Sequence, residues 1–165
     1  TGTLGIAKGG TGQTTAAGAF NALKQAATES ASGVLEKSTD GEIRSAAPGT
    51  KAICAEDLES AAAIQTLSDA ATISVDWDTF INGEVTLGGN RTLGNPTNGQ
   101  PGTWRRISIA QDGSGSRTLS WGSNYEFPAS EAPTLSTAAN ARDTFSIFCR
   151  TASAFEVYTA GQEMG

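Results

Sequence analysis

Arg105-Arg106-Ile107-Ser108-Ile109-Ala110 reads as a β-strand, because side chains in an extended chain alternate between two faces. Arg105, Ile107 and Ile109 fall on one side, and Arg106, Ser108 and Ala110 on the other. One face therefore carries the apolar pair. The two arginines point in opposite directions, which makes them part of a solvated strand rather than a basic patch.

Working outward, apolar or β-branched runs of the same kind recur at Thr72 to Val75, Val85 to Leu87, Thr118 to Trp121, Phe145 to Phe148 and Phe155 to Tyr158. Between them stand turn-forming clusters: Asn82-Gly83, Gly88-Gly89-Asn90, Asn95-Pro96, Asn98-Gly99, Asp112-Gly113-Ser114-Gly115 and Gly122-Ser123-Asn124. Their Gly and Asn residues supply the positive φ angles that tight turns require. Ala132 to Arg142 forms a longer connection. Short strands with frequent turns predict a β-sandwich or jelly-roll-like head over residues 67–165.

Composition changes sharply near residue 67. Every lysine lies at or before Lys51, whereas all three tryptophans, both tyrosines and every phenylalanine except Phe20 lie at or after Trp77. The chain is thus expected to hold two modules, 1–66 and 67–165, in a mainly β protein. The first module is rich in Ala, Gly, Ser and Thr. Its large apolar residues are few: Leu4, Ile6, Phe20, Leu23, Val34, Leu35, Ile43, Ile53, Leu58 and Ile64. Ordering each residue costs about 1.5 kcal/mol, while burying a large aliphatic side chain returns about 1.5 to 3 kcal/mol. So small a core does not close on itself, and oligomerisation is the usual remedy. The first nine of those residues are the candidates for an intertwined oligomer core.

Within this module Thr14 or Thr15 is placed to cap a helix running through Ala16 to Leu23, with Phe20 and Leu23 on one face. A second helix is predicted from Ala55 to about Gln65, behind the acidic first turn Glu56-Asp57. Gly33-Val34-Leu35-Glu36 and Glu42-Ile43-Arg44 read as short strands around Asp40-Gly41. The module is accordingly a small α+β one.

Several chemistries are disfavoured. A net charge of −6 argues against phosphate-dominated nucleic-acid binding. The chain contains no histidine, which removes the commonest general base and metal ligand, and Cys54 and Cys149 alone cannot make a tetrahedral zinc site. Cys54 and Cys149 could pair within or between chains, two partly buried free thiols being the blander reading. No run approaches the roughly 18 apolar residues of a membrane span. The chain begins Thr1-Gly2-Thr3, so an upstream anchoring segment is an expectation.

Lys8-Gly9-Gly10-Thr11-Gly12-Gln13-Thr14-Thr15 resembles the variant phosphate loop of the ParA-like partitioning ATPases. It carries Gln13 where that family places a lysine, so the charge that neutralises the β- and γ-phosphates is missing. Read from Leu4 through Leu23, the same residues resemble the repeat of phage tail-fibre and related virion proteins, because the glycine cluster and the capped helix occur together. Ala31 to Thr39, Gly49 to Ile53 and Leu58 are similar to another fibre repeat, departing from it at Lys37 and Cys54. Thr86 through Thr118 to Ser123, Pro133 to Thr137 and Ala139 to Ala141 resemble a β domain that recurs at the ends of phage structural proteins. These resemblances imply a virion location, a homotrimer, contact with other virion proteins through an N-terminal or upstream anchor, and a non-enzymatic role in attachment or decoration. No cofactor, metal, catalytic residue or membrane insertion is expected from the composition.

A second class of function remains open, in which the head is a glycan-binding receptor-recognition module. Trp77, Trp104, Trp121 and Tyr125 are the candidates for flat apolar faces against sugar rings, with Trp121 to Tyr125 best placed at a turn. Asp76 and Asp78, two apart, would share a strand face and invite a glycosidase reading, which solvated strand-end carboxylates explain more simply.

Overall fold

The computed structural model describes residues 15–23, 36–46 and 51–164. The chain forms two compact units, one of Thr1–Lys37 with Gly49–Ala52, the other of Ser38–Pro48 with Ile53–Gly165. The units do not divide at residue 66: residues 53–66 group with the strands that follow. In the first unit, helix α1 spans Ala16–Leu23. The Gly18 amide donates to Thr15 Oγ1 at 3.0 Å, so Thr15 supplies the cap. Lys37 bridges Ala52 in parallel, and Lys51 Nζ meets Glu36 at 3.2 Å. Leu4, Ile6, Val34, Leu35, the side chains of Phe20 and Leu23, and the glycine cluster 8–14 lie outside the described residues.

The second unit opens with helix α2, Asp40–Arg44, where a strand was expected at Glu42 to Arg44. The reason is a capping box. Thr39 Oγ1 accepts from the Glu42 amide at 3.3 Å, and the Glu42 carboxylate accepts from the Thr39 amide at 2.9 Å. Helix α3, Ala55–Ala61, stops short of Gln65, because the chain from Ile64 enters strand β1, Ile64–Thr66. Asn82 Nδ2 holds the Ala62 carbonyl at 2.7 Å at that changeover. The inward residues of α3 are Asp57 and Ala61, while Leu58 points out.

The remaining strands are β2 (Thr72–Ile73), β3 (Asn82–Leu87), β4 (Arg91–Leu93), β5 (Trp104–Gln111), β6 (Leu119–Trp121), β7 (Tyr125–Glu126), β8 (Arg142–Thr151) and β9 (Ala154–Gly161). They make a six-stranded sheet in the order β1-β3-β5-β8-β9-β7 and a three-stranded sheet in the order β2-β4-β6. The unit is mainly β, as expected, and two sheets share one core. The jelly-roll-like connectivity does not hold, since a jelly roll is built from antiparallel neighbours. Here β1, β3 and β5 pair in parallel, as do β2, β4 and β6, because each loop carries the chain across to the opposite sheet. The result is a short coil of stacked rungs, closed by the antiparallel strands β8 and β9 on β5.

Alternation along each strand fills the interior. In β5, Arg105, Ile107, Ile109 and Gln111 are buried and Trp104 and Arg106 are exposed. Val85 and Leu87 from β3, Phe145 and Ile147 from β8, and Phe155 and Val157 from β9 meet Ile73 and Leu93 of the second sheet in one cluster. Asn82-Gly83, expected to turn, runs inside β3 instead. Gly83 is small because a Cβ there would sit 3.1 Å from the fully buried Phe80 ring. The Ala132 to Arg142 connection is pinned by Asp143, whose carboxylate accepts from the Ser136 amide at 2.6 Å and hydroxyl at 2.8 Å. Among the described residues, no helix is long and apolar enough to cross a membrane.

Candidate recognition face

The register of the six-stranded sheet decides which side chains share its outer surface. Ile64 lies beside Asn82, Asn82 beside Arg106, Arg106 beside Ser146 and Ser146 beside Tyr158, which makes one row across five strands. Trp104 and Phe148 pair in the next row, with Glu156 beyond Phe148. Ser108 and Thr144 pair on the other side, their hydroxyls 3.0 Å apart. Residues two apart in a strand face the same way, so all of these project from one face.

That face carries an aromatic shelf. Trp104 packs on Phe148 with ring centres 4.9 Å apart and on Tyr158 at 5.8 Å, both tilted. Trp104 is 51% exposed and Tyr158 42%, so each leaves an apolar ring surface in contact with water. Glu156 accepts from the Tyr158 hydroxyl at 2.8 Å, and that bond pushes the phenol above its ordinary range. Arg150 is shared between Glu126 at 2.6 Å and Glu156 at 3.2 Å at the margin of the shelf.

The other aromatic candidates stand elsewhere. Trp77 is fully buried, donating from Nε1 to Thr103 Oγ1 at 2.8 Å and packing 5.0 Å from Phe155. Tyr125 is buried, its hydroxyl donates to the Gly94 carbonyl at 2.9 Å, and burial pushes its phenol up. Trp121 is half-buried between the edges of Tyr125, Phe127 and Phe145. Trp77 and Tyr125 lie in the core and Trp121 packs partly buried against it, although Trp121 to Tyr125 stood best placed for exposure at a turn. Of the four, Trp104 alone is an exposed side chain. Phe148 and Tyr158 were missed because residue type alone does not tell which of Phe145, Phe148, Phe155 and Tyr158 point out; the pairing of β8 with β5 and β9 does.

Arg105 corrects the solvated-strand reading for one of its two arginines. It points inward, its Nη2 donating to the carbonyls of Trp77 at 2.9 Å and Arg44 at 2.8 Å, with the guanidinium 5.2 Å from the Trp77 ring centre. Asp76 and Asp78 lie outside any strand. The Asp76 carboxylate accepts from the Asp78 amide at 3.1 Å and from Asn98 Nδ2 at 2.9 Å, which is the work of a turn residue. Cys54 is exposed and Cys149 buried, and both are free thiols. Of the oligomer-core candidates in this unit, Ile43 is half-buried, while Ile53 and Leu58 are exposed. The chain matches no protein-family model, no curated protein and no solved structure.

Proposed function

We propose that this chain is a structural subunit of a bacteriophage virion fibre or spike, assembling as a homotrimer with no enzymatic activity. The observation that carries this reading is a pair of large aliphatic side chains left in water within six residues: Ile53 is 61% exposed and Leu58 54%. The core between the two sheets makes no use of either side chain. Covering each against a neighbouring copy stabilises by about 1.5 to 3 kcal/mol per side chain, and a symmetric assembly repeats that gain in every subunit. The similarity of Leu4 to Leu23 and of Ala31 to Leu58 to fibre repeats supports the same reading. Light scattering at micromolar concentration is expected to give about three times the 16.8 kDa chain mass, and Leu58→Asp to reduce it to one. A stable wild-type monomer refutes the proposal.

A second reading, recognition of a surface glycan, is favoured by the Trp104, Phe148 and Tyr158 shelf. Binding to a glycan array is expected to be lost on Trp104→Ala. Loss on Trp121→Ala with retention on Trp104→Ala would place recognition elsewhere.

A further inference from the structure

Six arginines follow Lys51 in the sequence, and four are engaged. Arg91 grips both Asp69 oxygens at 2.7 Å, Arg117 reaches Asp112 at 2.7 Å, Arg150 is held by Glu126 and Glu156, and Arg105 is spent on backbone carbonyls. Arg106 and Arg142 are exposed and have no carboxylate or carbonyl acceptor among the described residues. In a chain of net charge −6, two unclaimed guanidinium groups on the same sheet face call for an explanation.

Both line one open cavity of about 650 Å³ on the outer face of the six-stranded sheet, a size that suits a small ligand. Their positions along the strands are set by register. Arg106 faces Ser146, and Arg142 faces Ala110, four residues further along β5. At about 3.3 Å per residue their backbones are about 13 Å apart, so they bracket an elongated ligand rather than a single small anion. Between them lies the Ser108 and Thr144 hydroxyl pair. Asn82, whose Nδ2 is committed to the Ala62 carbonyl, also lines the cavity, and Ile64 and Met164 supply an apolar wall.

The Arg106 end of the cavity adjoins the aromatic shelf, because Trp104 is two residues from Arg106 on the same face and Tyr158 flanks Ser146. Guanidinium forks match carboxylates, clustered hydroxyl and amide groups match sugar hydroxyls, and an aromatic shelf matches the apolar face of a pyranose ring. Glu84 lies across Ser108, lines the adjoining crevice and pairs with neither arginine. Its charge disfavours densely charged phosphate relative to a spaced monocarboxylate.

We propose that this cavity binds an acidic saccharide of two or three residues, with carboxylates taken by Arg106 and Arg142 and one ring stacked on Trp104. The inference rests on the glycan-recognition reading of this face and is independent of the fibre reading. The test is calorimetric titration of the whole chain with trigalacturonic acid, its methyl ester, inorganic phosphate and triglutamate. The acid form is expected to bind, the ester to bind at least tenfold more weakly, and Arg106→Gln and Arg142→Gln each to weaken the acid form about tenfold, since charge-assisted bonds are lost. Both arginines are exposed, and unchanged circular dichroism of the variants checks that the fold is intact. Equal binding of acid and ester, lost on Trp104→Ala, overturns the acidic preference while leaving glycan recognition standing. Absence of binding by either sugar overturns both. Phosphate or triglutamate binding as tightly as the trisaccharide at the same arginines also overturns the proposal.

Discussion

Replacing Arg105 by methionine keeps the aliphatic stem and removes the guanidinium, and its cost follows from what that group touches. Arg105 is 7% exposed. Its Nε and Nη2 donate to the Trp77 carbonyl at 3.2 and 2.9 Å, Nη2 also to the Arg44 carbonyl at 2.8 Å, and Nη1 to the Trp104 carbonyl at 3.0 Å. The Arg44 carbonyl belongs to the last turn of α2, where a cation is also favoured by the helix dipole. Methionine strands the Trp77 and Arg44 carbonyls, each at about 1 to 3 kcal/mol, and forfeits a cation–π contact of about 0.5 to 2 kcal/mol. Against this runs relief from burying a charge, which already depresses the Arg105 pKa through desolvation. The balance is a loss of about 3 kcal/mol, a large part of a typical 5 to 15 kcal/mol. Lysine, with one point of donation instead of a fork, recovers about a third of it. Urea unfolding followed by tryptophan fluorescence at fixed chain concentration reads this as a midpoint lowered by about 1.5 M, given a slope of about 2 kcal/mol/M. A methionine variant within roughly 0.3 M of the parent would refute the account of Arg105 as the tie between β5 and α2.

Three further outcomes are expected. Gly99→Ala places a Cβ 2.6 Å from Phe155 Cζ and 3.1 Å from Cys149 Sγ, in a core with no room to yield, so it costs about 1 to 3 kcal/mol in the same urea assay; a neutral result means the loop shifts freely. The paired bonds from Arg91 hold the Asp69 carboxyl below its ordinary range. A depressed folded value contributes stability that is complete above about pH 4 and is lost as pH falls through it, so Asp69→Asn is expected to flatten the acid side of a Tm profile, and an unchanged profile sinks the assignment. A thiol reagent is expected to modify Cys54 quickly in the folded chain and Cys149 only on unfolding, since Cys149 is buried and burial pushes its thiol up; rapid reaction of two thiols in the native state contradicts the buried placement.

Much of the β-unit was legible from period alone. The alternation through Arg105 to Ala110 places Ile107 and Ile109 inside, and the turn clusters after Leu87 and Gln111 stand where strands end. What period cannot supply is a partner. Parallel and antiparallel neighbours require the same alternation, so the coil in place of a jelly roll was invisible, and so was the shelf that pairing assembles from Trp104, Phe148 and Tyr158. Two local misreadings have chemical causes. Asn82-Gly83 carries a turn signature, yet the glycine answers to the Phe80 ring. Glu42-Ile43-Arg44 has strand-like residues, but Thr39 three places earlier completes a capping box, a signal that was present in the sequence. Trp77, Trp121 and Tyr125 could not be told from Trp104 by type, because exposure depends on which sheet lies behind each ring.

The stacked coil also governs what changes the chain tolerates. Ile64 sits beside Asn82 and Asn82 beside Arg106, so successive layers are 18 and 24 residues long while each adds one strand spacing of about 4.8 Å. The difference in length is absorbed entirely in the crossings between sheets. Insertions in the segment between β3 and β4, or between β5 and β6, lengthen a crossing and leave every pairing in place. Deletion of a single residue within β3 or β5 instead exchanges the interior set for the exterior set along the whole strand. Variation among descendants of this fold should therefore accumulate at the crossings in any number of residues, and inside the strands only by substitution.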